Sequence, residues 1–148
     1  MSDLQRSRLY RAEQSMRREN AVALQSIEHV RALVRIAESL PWYPSQRKGC
    51  GVATTMATGH AYWSNGVIHL PAKGAGADGS WAWTDIVILH ELAHHLTFTE
   101  GGNWHGEAFA TYFLRLVRSL RPEAVGDALA AAFNENNIKY TDRKEVAA

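Results

Sequence analysis

His90-Glu91-Leu92-Ala93-His94 is the stretch of this 148-residue chain from which the rest is best read. On a helix, positions i and i+4 share one face, so two imidazoles at that spacing can grip a single metal ion. Glu91 follows the first of them and is placed to polarise a water on that ion. The pattern needs a helix, and the flanking residues predict one. Thr84 or Asp85 can cap it. Ile86, Leu89, Leu92, Ala93 and Leu96 then carry it to about Phe98, before Gly101-Gly102-Asn103 breaks it.

A catalytic zinc site has three protein ligands and an open position. His90 and His94 supply two, and the third must come from beyond the helix. A tight glycine turn of the HExxHxxGxxH kind would put it at Glu100, but Thr97 occupies the glycine slot and is β-branched. His105, just after the glycine break, can be delivered from the start of the next helix and ranks first. Glu100 ranks second. Glu107 ranks third, because two residues along a helix turn its side chain roughly 200° away.

Outward from this helix the chain reads as a small α+β domain. Residues from about Leu4 to Leu40 have helical spacing, with Val22, Leu24, Ile27, Val30, Leu33, Val34, Ile36, Ala37 and Leu40 apolar. The part from Gln5 to Asn20 is more polar and holds five arginines. It is a second helix or a flexible, frayed extension. Val52 to Met56, Ala61 to Trp63 and Val67 to Leu70 are strand-like, and Asn65-Gly66 is a two-residue hairpin signal, predicting a short antiparallel sheet. Lys73 to Ser80 is rich in glycine and alanine and is expected to be a loop. Downstream, Phe109, Tyr112, Phe113, Leu116, Val117 and Leu120 form the stripe of a helix ended by Arg121-Pro122. Glu123 to Phe133 forms a last helix. A single domain over residues 1–133 and a polar tail over 134–148 are expected.

Composition narrows the setting. The 46% apolar and 21% charged content is that of an ordinary globular domain, and the net charge of +1 makes nucleic acid an unlikely partner. Cys50 is the single cysteine, so no internal disulfide and no cysteine-rich zinc knuckle can form. Neither a secretory leader nor a membrane span is apparent, and the expected location is the cytoplasm.

Leu89-His90-Glu91-Leu92-Ala93-His94 followed by His105-Gly106-Glu107-Ala108-Phe109 resembles the HELAH…HGxxF signature of SprT-like and related small zincin metallopeptidases. The chain is more closely similar to a family of short HExxH metallohydrolases of actinobacteria and their phages. Members of that family open with a segment like Gln5-Arg6-Ser7-Arg8-Leu9-Tyr10-Arg11-Ala12-Glu13. The resemblance implies a zincin-like fold, Zn2+ held by His90, His94 and His105, and Phe109 packed beneath the third ligand. The cysteine ribbon that follows the core in SprT-like proteins has no counterpart here.

A hydrolase is therefore expected, with Glu91 the catalytic base for attack of water on a peptide or amide carbonyl. The partner would be a peptide or protein substrate; no membrane partner is expected, and the residues do not indicate an oligomeric state. His60, His69, Tyr62 and Tyr112 are candidate donors to the developing oxyanion. His95 points about 100° from His94 and is expected to be structural, as is His29. Trp104 could wall the pocket. The alternative is a zincin scaffold without catalysis, contacting a protein or nucleic acid through its arginine-rich start.

Overall fold

The structure, a computed structural model, describes residues 5–56, 59–72, 82–98 and 105–142. Among these residues the chain forms five α-helices and one three-stranded sheet, an α+β arrangement. None of the described helices is long and apolar enough to cross a membrane. The chain divides into two compact units, Val22–His95 and Met1–Ala21 with Leu96–Ala148. The helical spacing of residues 4–40 leaves Gln5 to Asn20 as a second helix or a frayed extension, and the structure has two helices, α1 at Arg6–Asn20 and α2 at Ile27–Glu38.

In the Val22–His95 unit, the residues between those helices are drawn out as an extended run. Leu24 N–H donates to the Trp83 carbonyl at 2.8 Å, and Ala23 makes an antiparallel bridge with Thr84. Helix α2 restarts at Ser26, whose hydroxyl accepts from His29 N–H at 3.2 Å. Such a cap contributes about 1 kcal/mol. Its buried residues Val30, Val34, Ala37 and Glu38 follow helical spacing, and the helix packs on the first strand, β1 at Gly51–Thr55. Glu38 is a buried carboxylate, so it needs partners. It pairs with Arg35 and accepts the backbone N–H groups of Gly49 and Cys50. Gly49 has φ +91°, the left-handed conformation that favours glycine.

The sheet has the order β1-β3-β2, with β2 at Tyr62–Ser64 and β3 at Val67–Pro71. Asn65 and Gly66, at φ 49° and 82°, form the tight turn joining β2 to β3. That hairpin is antiparallel, but β1 pairs with β3 in parallel, Val52 opposite Ile68. The sheet is thus mixed, not wholly antiparallel as the strand pattern suggested. The hairpin inserts β3 between β1 and β2, a long-range choice that strand alternation does not encode.

Helix α3, Asp85–Thr97, carries the HExxH residues. Thr84 caps it through Oγ1, which accepts from Val87 N–H at 3.4 Å. Asp85 does a different job. Its Oδ1 accepts from the N–H groups of Val22 and Ile86, both at 2.8 Å, tying the extended run to the helix start. Every residue from Asp85 to Leu96 is buried. A helix hidden on all sides belongs to the interior.

The other unit is helical. Leu9, Ala12, Glu13 and Met16 form the buried stripe of α1, which packs on α5 at Glu123–Glu135. Helix α4, Glu107–Leu120, also packs on α5 and buries Phe109, Phe113, Leu116 and Val117. Helix α5 ends in a left-handed residue, Asn137 at φ 56°. Ile138 N–H then reaches back to the Phe133 carbonyl at 2.9 Å, a Schellman-type stop with Ile138 buried behind it. The residues that follow, polar as expected, are tied down as far as Asp142. Arg118 donates twice to Asp142, both at 2.7 Å, and Thr141 N–H donates to Thr111 Oγ1 at 2.9 Å.

Candidate metal centre

Helix α3 delivers the first two candidate ligands because four residues complete about one turn. The rings of His90 and His94 stand 5.1 Å apart, near perpendicular at 70°, and both residues are buried. Glu91 is buried beside them, with Oε2 3.8 Å from His90 Nε2. One carboxylate therefore lies close to a nitrogen able to bind a metal.

His105 comes from the turn before α4 and is 5% exposed. Its carbonyl accepts a hydrogen bond from Gln5 Nε2 at 2.9 Å. The Tyr10 ring lies 5.4 Å from the imidazole and the Phe109 ring 5.1 Å from it, the latter edge-on. Phe109 begins a chain of aromatic contacts that continues through Phe113 and Phe133 to Tyr140.

His90, His94 and His105 each offer one ligand nitrogen, and these atoms all lie within 4.8 Å of one another. Nitrogens about 2 Å from a tetrahedral ion stand about 3.3 Å apart. The donors are three imidazoles, a set matched to borderline divalent transition metals and not to calcium or magnesium, which take oxygen. These three buried histidines could bind a metal ion.

The other residues singled out in the sequence lie elsewhere. Glu107 is exposed at the start of α4 and borders a cleft of about 430 Å³ together with Thr111, Tyr112 and Arg115. Glu100, the loop of residues 73–80 and Trp104 fall outside the described residues. His69 stacks on Tyr62 at 4.5 Å, and exposed His60 meets the same ring edge-on at 6.4 Å. His29 is exposed on α2.

His95 adjoins His94 but is engaged by protein on both nitrogens. Trp63 Nε1 donates to His95 Nδ1 at 3.0 Å, and His95 Nε2 lies 2.7 Å from the Arg47 carbonyl. An indole only donates and a carbonyl only accepts. The ring is therefore neutral, with its proton on Nε2. Burial also lowers its pKa from the usual histidine value, against the raising effect of the Arg47 carbonyl.

Two residues around His105 had no role in the sequence reading, Gln5 and Tyr10. Both belong to the opening segment quoted for its resemblance. Nothing local in that segment signals a partner 100 positions away.

The chain was compared with protein-family models, with curated proteins and with solved structures, and none of them matches it.

Proposed function

We propose that the chain is a zinc-dependent hydrolase of the zincin type, a metallopeptidase acting on a peptide or amide carbonyl. The observation that carries the reading is the buried group of His90, His94 and His105 with the Glu91 carboxylate beside it. Among the described residues no fourth histidine, cysteine or carboxylate joins the group. That favours a site with an open position over a closed structural one. The HELAH…HGxxF resemblance supports the same reading, and kinship with small zincin metallopeptidases is part of the proposal. A cytoplasmic setting accords with the lone, buried thiol of Cys50.

His90, His94 and His105 would hold the ion through neutral imidazoles. When bound, zinc supplies Lewis acidity, lowering the pKa of a water toward about 7 and polarising the carbonyl. Glu91 accepts a proton from the attacking water and passes one to the departing amine as the C–N bond breaks. Its place on a helix buried on every side holds the carboxylate in position and excludes bulk water. His95, neutral and bonded at both nitrogens, fixes the end of α3 that carries His94.

The test is Glu91→Gln, assayed for metal content and for cleavage of a broad peptide and amide library. The wild type is expected to carry about one zinc per chain and to hydrolyse part of the library. Glu91→Gln should keep the zinc and lose at least about 100-fold in rate. Equal activity in the variant, or no cleavage by zinc-loaded wild type, would overturn the hydrolase reading.

A further inference from the structure

We infer that Gln5 is a positioning residue for His105, and that the opening segment of the chain serves the metal centre. The inference rests on His105 being a metal ligand. Gln5 is 6% exposed, and both ends of its side-chain amide are used. Nε2 donates to the His105 carbonyl at 2.9 Å, and Oε1 accepts from the Lys139 backbone N–H at 2.7 Å. A buried amide with donor and acceptor both satisfied is a rigid strut. This one grips the main chain at the residue whose ring must face the ion.

The same segment reaches the ring itself. Tyr10, five residues further on within α1, lies 5.4 Å from the His105 imidazole, and the Arg6 guanidinium covers Tyr10 at 5.7 Å. With Phe109 edge-on at 5.1 Å as well, the imidazole has two ring neighbours that oppose its rotation. His105 precedes α4 and has no helix of its own to orient it, unlike His90 and His94 within α3. The first turns of α1 supply that orientation. Groups that orient a metal ligand typically change metal affinity by about 10- to 100-fold.

Zinc affinity is measured by chelator competition, alongside the thermal midpoint of each metal-free protein. Gln5→Glu keeps the acceptor for Lys139 but sets a carboxylate oxygen against the His105 carbonyl. Lys139→Pro removes the other half of the strut and leaves the His105 bond. Gln5→Glu should weaken zinc about tenfold or more, while Lys139→Pro lowers the metal-free midpoint and leaves zinc affinity within about twofold. Should Gln5→Glu fail to fold, Gln5→Met, similar in volume and lacking both bonds, decides on the same readout. Wild-type affinity in the Gln5 variant overturns the inference. So does an equal loss in both variants that follows their stability, which marks a merely structural strut. Wild-type protein that takes up no zinc is a different failure, since it removes the metal reading along with the strut.

Discussion

The Trp63 indole donates to Nδ1 of His95 at 3.0 Å, which commits one ring nitrogen of the residue that adjoins His94. With Nε2 committed to the Arg47 carbonyl at 2.7 Å, no ring nitrogen is left for a metal. Two adjacent histidines on one helix thus stand in different settings, one in the candidate metal group and the other bonded to protein.

His95→Ala should therefore cost stability and spare the metal. It leaves a half-buried indole N–H and a backbone carbonyl without their partner, a loss of about 2–3 kcal/mol. Urea unfolding measures the loss, and elemental analysis should still find about one zinc per chain. Metal loss at unchanged stability would make His95 a ligand after all.

Removing metal should lower the unfolding temperature. An ion at 100 times its dissociation constant stabilises the folded state by about 2.7 kcal/mol, or about 8 °C for a chain of this size. Calorimetry with chelator, then with restored zinc, checks the shift. His105→Ala should abolish it.

Gly126→Ala reverses the usual expectation for a helix. Replacing an interior helical glycine normally gains about 1 kcal/mol. Here a Cβ would fall 2.7 Å from Arg118 Cγ, and that side chain is held by Asp142 and Asp127. The clash cannot be relieved by moving only a loose end. A net loss of about 1–2 kcal/mol is expected on thermal unfolding. A stabilised variant would mean that Arg118 gives up its carboxylates easily.

Cys50 should be inert in the folded protein. Burial, reinforced by Glu38, pushes its thiol up to about 12 from an ordinary 9. Thiol reagents at pH 8 should label it only after denaturation. The sign of the pH effect follows: below about 9 the thiol is protonated in both states and stability is full. Between about 9 and about 12 the unfolded chain ionises first, so stability falls as pH rises. Tyr43, also raised by burial, acts in the same direction above its ordinary 10. Cys50→Ala should flatten part of that slope in alkaline unfolding curves.

What could be read from the sequence was what local chemistry decides. The Thr84 cap, the Asn65-Gly66 turn and the four-residue spacing of His90 and His94 each depend on neighbours within one turn. Val22 and Leu24 show the limit. They fit the apolar period of a helix, yet backbone bonds with Asp85 and Trp83, about 60 positions on, pull them into an extended run. The parallel pairing of β1 with β3 and the Gln5 strut are long-range in the same way. The order of candidates for the third ligand came from a glycine break and a side-chain type, while the proximity of His105 to the pair depends on tertiary packing.

Helix α3 is hidden along nearly its entire length, which has a kinetic consequence. Its amides should exchange with solvent only through global opening, the slowest class of hydrogen exchange. Two of the three candidate ligands then sit on a persistent segment, already paired without a metal. His105 stands outside α3, and its position depends on the Gln5 strut and the rings packed against it. Zinc should therefore leave and return through local opening of the turn at His105, faster than α3 unfolds, and a broken strut should speed that exchange.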